Sequence, residues 1–260
     1  MADLDGIGVL VTRPLNQSQE LAARIQQAGG EVYILPALDI TAVPLNPGLK
    51  AILQRLEEFD IAIFISANAV SRALNFIHSQ GRLPQHWRIA AVGKASAKAL
   101  QGCGYHVHIV PTGQFNSDAL LENPELHQVT AKKILIFRGE GGREALAETL
   151  KTRGALVEYA EVYRRVRPQV DTGPILKAWA RGNIHIVIAT SNEILRNLYD
   201  MVGTLGQQWL INTPLVVISE RMATVVQELG FKNSPLVADN AHDDALVATI
   251  VKWRKETYDG

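Results

Sequence analysis

Tyr163 lies in the run Val162-Tyr163-Arg164-Arg165-Val166-Arg167-Pro168, a β-prone stretch that ends at a proline. A phenol in such a segment either packs as a strand aromatic or projects into a ligand space, where it can hand a proton to a leaving group. Short turns elsewhere offer complementary chemistry. Ser66-Ala67-Asn68 and Thr190-Ser191-Asn192 each stand between an apolar run and a helical pattern, gathering hydroxyls and backbone N–H groups where a helix dipole is positive. Gly93-Lys94-Ala95-Ser96 and Ser219-Glu220-Arg221-Met222 form the next pair of such turns. The first two turns also read as plain helix N-caps, and Lys94 and Arg221 also as solvated charges. Their matched placement in two halves of the chain favours a ligand role.

Metal and nucleotide signatures are missing or broken. The seven histidines have no cysteine or acidic partners at ligand spacing, and His106 and His108 are expected to alternate on one strand. Gly139-Glu140-Gly141-Gly142 follows a strand pattern and opens a helical one, with Glu158 near the place of a ribose-binding acid. Glu144 occupies the third glycine position and breaks that dinucleotide fingerprint, although a tight glycine turn still offers N–H groups to anions. Cys103, between Gly102 and Gly104, reads as structural and has no internal disulfide partner.

The elements that must position these groups show in a duplication. Val9-Leu10-Val11-Thr12-Arg13, followed by Leu21, Gly29 and Val32, aligns with Ile134-Leu135-Ile136-Phe137-Arg138, followed by Leu146, Gly154 and Val157. Asp60 to Ser66 aligns in the same way with His185 to Ser191, and with one insertion Ile89 to Gly93 meets Leu215 to Ser219. Each matched run is short, β-branched and followed by a helical pattern, so both halves read as strands alternating with helices around a parallel sheet. Ligands of such sheets gather at the carboxyl ends of the strands.

Ala37 to Val43 and Glu161 to Pro168 read as paired extended connectors. The expected organisation is a discontinuous domain of residues 1–36 plus 168–260, an inserted domain of residues 41–162, and connectors at 37–40 and 163–167. The two domains are expected to face each other across a ligand cleft.

Lysine plus arginine and aspartate plus glutamate are equal at 26 each, so no global field draws nucleic acid or an anionic membrane. Apolar residues make up 47% and are too well mixed with charge for a membrane span. The acidic start Met1-Ala2-Asp3-Leu4-Asp5 lacks the pattern of an export signal, and with the lone cysteine it implies a cytoplasmic location.

The ordered set Val11-Thr12-Arg13-Pro14, Ser66-Ala67-Asn68, Ala91-Val92-Gly93, Arg138-Gly139 with Gly142-Arg143, Val162-Tyr163-Arg164 and Thr190-Ser191 resembles the uroporphyrinogen-III synthase family nearly end to end. The resemblance implies two similar flavodoxin-like α/β domains with parallel sheets, joined by a two-stranded connector. It implies a cofactor-free cyclising hydro-lyase of haem, sirohaem and cobalamin biosynthesis. Hydroxymethylbilane, a linear tetrapyrrole with acetate and propionate side chains, would close to uroporphyrinogen III with ring D inverted and water lost. Loss of the terminal hydroxyl would give an azafulvene, which attacks the substituted carbon of ring D and recloses through a spiro intermediate.

By that resemblance Tyr163 assists hydroxyl loss. Substrate binding falls to Arg13, Ser66, Asn68, Gly93, Ser96, Arg138, Gly139, Thr190, Ser191, Ser219 and Arg221, with a structural role left open for Arg13, Arg138 and Arg143. The sequence departs from the family at Ser219 to Met222, which puts a side-chain contact from Met222 in doubt and leaves Thr224 as a substitute only if the turn is rearranged. The implied enzyme is a monomer with hydroxymethylbilane synthase as upstream donor and no metal. Its rivals are a cytosolic two-domain binding module without turnover and a nucleotide-dependent oxidoreductase resting on the broken glycine turn.

Overall fold

The β-branched runs form ten short strands in the computed structural model, which describes residues 3–79, 81–142 and 144–258. They are β1 (Gly8–Val11), β2 (Glu31–Ile34), β3 (Asp39–Ala42), β4 (Ile61–Phe64), β5 (Arg88–Ala91), β6 (Lys133–Gly139), β7 (Leu156–Val166), β8 (Ile186–Ile188), β9 (Leu215–Val217) and β10 (Leu236–Val237). Residues 1–39 with 166–260 form one compact unit, and residues 40–165 form another.

The first unit holds a sheet in the order β10-β9-β8-β1-β2, with parallel pairing throughout. Counted along the chain within the unit, this is the 2-1-3-4-5 order of the flavodoxin type. Strands β1, β8 and β9 are buried along their whole length, as expected of parallel strands covered on both faces. Successive side chains point to opposite faces, so Leu10, Val187 and Val217 join one core while Val9, Val11, Ile186 and Ile188 join the other.

The second unit holds the order β3-β7-β6-β4-β5, in which β4, β5, β6 and β7 pair in parallel. Here Ala62, Phe64, Leu135 and Phe137 enter one core and Ile61, Ile63, Ile134 and Ile136 the other. Phe64 stacks on Phe137 with ring centroids 4.8 Å apart, worth about 0.5–1.5 kcal/mol beyond the area buried. Trp87 is buried against them and donates from Nε1 to the carbonyl of Leu56 at 3.0 Å.

The duplication is divided between the units. The β1, β2 pair lies in the first and its counterpart β6, β7 in the second, so each sheet combines the opening βαβ of one copy with the later strands of the other. Strand β7 is also longer than its sequence suggests: it runs unbroken through Glu161–Val166, which the apolar pattern alone separates from it. The expected strand carrying His106 and His108 is corrected. That segment makes a single bridge, Ala90 to Ile109, and the two rings meet edge-on at 4.7 Å.

Candidate active site

Strands β6 and β7 keep register from Lys133 opposite Leu156 to Arg138 opposite Glu161, and then slip, so that Gly139 faces Tyr163. Val162 is the extra residue. A bulge of this kind re-aims the side chain that follows it, here turning the Tyr163 ring across Gly139 at the carboxyl end of the sheet. Tyr163 is 2% exposed. Its hydroxyl lies 3.3 Å from Ser66 Oγ, and either atom can donate. Ser66 is itself placed by local rules: it caps the helix Ala67–His78, its Oγ accepting the Ala69 N–H at 3.1 Å.

Beside this pair is a cavity of about 290 Å³, lined by Tyr163, Ile65, Ser117, Tyr159, Arg138, Arg165 and the turn Gly139–Gly142 among others. Small-molecule sites span about 300–1,000 Å³, so this space suits one part of a large ligand better than the whole. Gly141 and Gly142 have φ of +68° and +116°, a left-handed course that glycine adopts freely and that leaves bare backbone on the wall.

Arg138 is 5% exposed. Its Nη1 meets Glu144 at 2.8 Å, its Nε lies 3.4 Å from Glu161, and its guanidinium stacks 4.1 Å from the centroid of the Tyr159 ring. Tyr159 donates its hydroxyl to Glu144 at 2.5 Å. Burial, then the hydrogen bond to Glu144 and its charge, push the Tyr159 phenol up to about 12. That hydrogen bond, with the Arg138 guanidinium behind it, holds Glu144 below the usual carboxylate range.

The other expected site residues divide by unit. Gly93 caps the helix Lys94–Gly102 through its backbone, and Ser96 in that helix is 2% exposed. Asn68 follows Ser66 in the first turn of its helix. These lie at the same sheet edge as Tyr163 but do not line the cavity. Lys94 sits 4.7 Å over the ring of Phe115.

In the first unit Thr190 and Ser191 follow β8, and Ser191 caps the helix Asn192–Met201 by accepting the Ile194 N–H. Ser219 accepts the Arg221 N–H at 3.2 Å, and Arg221 is exposed. Met222 is buried in the core and Thr224 is exposed. Arg13 pairs with Asp243 at 2.6 Å and lines a separate depression of about 420 Å³ with Arg24 and Asp244. Arg143, and Met1 and Ala2 of the acidic start, lie outside the described residues.

Sequence reasoning missed Glu144, Tyr159, Ser117 and Arg165 as neighbours of the site. Tyr159 had a usable signal, since it is a second tyrosine shortly before Tyr163 in the same β-prone run, and both fall on β7. Glu144 was visible only as the residue that spoils a glycine motif. Glu158, at the ribose-acid position, is paired with Arg55 at 2.9 Å.

The family model described as "HEM4: Uroporphyrinogen-III synthase HemD" matches residues 19–248. A uroporphyrinogen-III synthase of Escherichia coli K12 is 33% identical over 94% of this chain and 100% of its own length. One from Synechococcus elongatus is 28% identical over 98% of each. Among solved structures, a mutant uroporphyrinogen III synthase of Thermus thermophilus superposes with a TM-score of 0.64 at 18% identity, covering 98% of this chain and 100% of that one. The uroporphyrinogen-III synthetase of Helicobacter pylori 26695 also scores 0.64 at 18% identity, over 95% and 100%. At that identity the two structures speak to the fold.

Proposed function

Because the chain belongs to the uroporphyrinogen-III synthase family, an enzyme family of tetrapyrrole biosynthesis, we propose that it closes hydroxymethylbilane with Tyr163 as the proton donor and the neighbouring cavity as the seat of the reacting end. The observation that carries this reading is the Tyr163 hydroxyl held 3.3 Å from Ser66 Oγ at the carboxyl edge of a parallel sheet, beside a cavity edged by bare backbone.

The physical steps are few. A phenolic proton passed to the departing hydroxyl lets it leave as water, and the pyrrole nitrogen supplies the electrons that form the azafulvene. Ser66, whose Oγ already accepts the Ala69 N–H, directs its own proton toward Tyr163 or receives the phenol's, which keeps the ring oriented. The electrophilic methylene then bonds to the substituted carbon of ring D, the older methylene bond at that carbon breaks, and the freed methylene bonds to the ring's unsubstituted carbon, whose displaced proton returns to the phenolate, so that the ring ends inverted. Unaided closure does not invert the ring, so the protein's main contribution is to hold the chain bent while water is kept away.

The substrate's carboxylates meet a protein of balanced charge, so local donors must grip them: capped helix starts after Ser66, Gly93, Ser191 and Ser219, with Asn68, Ser96, Thr190 and Arg221 beside them. Arg13 and Arg138, already paired with carboxylates, suit a supporting role better than direct capture. Gly139 serves by its lack of a side chain. The domains of this reading are the expected inserted and discontinuous ones, and the enzyme is a monomer that receives its substrate from hydroxymethylbilane synthase. The single cysteine, exposed Cys103, suits the reducing conditions of a cytoplasmic enzyme.

The test is isomer analysis of the porphyrin formed from freshly generated hydroxymethylbilane, beside a protein-free control. Type III product supports the reading, and unchanged type I product from folded protein overturns it.

A further inference from the structure

The Gly139–Gly142 turn is a wall of the cavity, and a wall made of backbone selects a ligand only if it is held still before the ligand arrives. What holds it begins just beyond the turn. Glu144 accepts from Arg138 Nη1 at 2.8 Å and from the Tyr159 hydroxyl at 2.5 Å. Arg138 then donates from Nε to the carbonyl of Gly139 at 3.3 Å. Glu161, beside the same Nε, accepts the Gly141 N–H at 3.3 Å, and the Glu140 N–H reaches the Tyr163 carbonyl at 2.8 Å. Every link from Glu144 to Gly141 is a hydrogen bond or an ion pair within one unit.

Simpler roles fit less well. Arg138 is buried and faces two carboxylates, so it cannot take a substrate carboxylate without releasing one of them. Glu144 opens the helix Ala145–Thr152, yet its side chain makes no capping hydrogen bond there. The carboxylate is spent on Arg138 and Tyr159 instead.

We infer that Glu144 is a positioning residue, whose carboxylate ties Arg138 to Tyr159 and thereby holds the Gly139–Gly141 backbone as a preformed wall of the substrate cavity. This rests on the reading of the cavity as the substrate site. Glu144 acts before any bond changes, so its loss weakens binding more than it slows chemistry. Tyr163 is held independently by Ser66 and by its own strand. The low carboxylate of Glu144 and the phenol of Tyr159 at about 12 keep the tie in one ionisation state near neutrality.

The experiment compares KM, kcat and product isomer for wild type, Glu144→Ala, Glu144→Gln, Tyr159→Phe and Tyr163→Phe, with a melting temperature for each. Glu144→Ala is expected to raise KM about tenfold with kcat within about twofold, the effect of losing a charge-assisted hydrogen bond. Glu144→Gln, whose amide oxygen still accepts from Arg138, returns KM to within about threefold of wild type. An unchanged KM in Glu144→Ala, or a fall in kcat at constant KM, overturns the inference. If Glu144→Ala does not fold, Tyr159→Phe decides: KM raised about threefold supports the tie, and wild-type KM sinks it. Slow Tyr163→Phe beside a wild-type Glu144→Ala leaves the cavity as the site and removes only the tie. Wild-type kinetics in every variant, Tyr163→Phe included, removes the cavity as well.

Discussion

The Tyr163 ring fills the space that a side chain at Gly139 would need: a β-carbon there would lie 2.6 Å from Cε2 and 2.7 Å from Cζ of the ring. Such distances lie far inside van der Waals contact between non-bonded carbons, so Gly139→Ala must displace either the strand or the phenol. With β6 buried on both faces, the ring is the part that yields. Gly139→Ala is expected to keep its circular dichroism spectrum and lose about ten- to a hundredfold in kcat, because the hydroxyl moves off Ser66. Full activity in this variant would falsify the close fit as a requirement for turnover.

Tyr163→Phe keeps the ring's packing and removes only the hydroxyl. Turnover is expected to fall by about 10²–10⁴-fold, the usual worth of a positioned acid, while the type III isomer persists in what is formed. Ser66→Ala should cost less in kcat and about 1 kcal/mol in stability, since it also loses a helix cap. Steady-state rates and urea unfolding separate the two effects.

Asp243→Asn tests the first unit. The side chains of Arg13 and Asp243 are 14% and 15% exposed, and Arg13 Nε is buried without a hydrogen-bond partner. Removing the carboxylate's charge leaves a largely buried guanidinium poorly compensated, at a cost of about 1–3 kcal/mol. A urea midpoint equal to wild type would show that water already serves the guanidinium.

Asp60 governs part of the acid limb of stability. Burial pushes its carboxyl up, but the backbone N–H of Lys133 and the Lys132 ammonium together outweigh that and hold it below its ordinary value. A depressed folded pKa contributes stability above the unfolded value of about 4, and this is lost as pH falls through the folded value. Asp60→Asn is therefore expected to be less stable at neutral pH and to lose stability less steeply below about pH 4. Parallel acid limbs for the two proteins would exclude Asp60 as a contributor.

Much of the architecture was legible without coordinates. The β-branched runs at Val9, Ile61, Ile89, Ile134, Ile186 and Leu215 all became strands, because buried parallel strands need apolar side chains on both faces and advertise themselves as continuous runs. Ser66 and Ser191 are readable as caps, since capping depends on three or four consecutive residues. The segment at His106 was misread because alternation alone does not supply a full partner strand.

By itself, then, the sequence determined the duplication, the alternation of strand and helix and the parallel sheets, all properties of local pattern or of similarity along the chain. Tertiary structure decided what those residues touch. The slip after Arg138 that turns Tyr163 over Gly139, the double pairing of Arg138, and the use of Glu144 as a tie depend on strands and turns that meet only after folding. A register shift of one residue reverses which face a strand side chain occupies, and no count along the sequence records it.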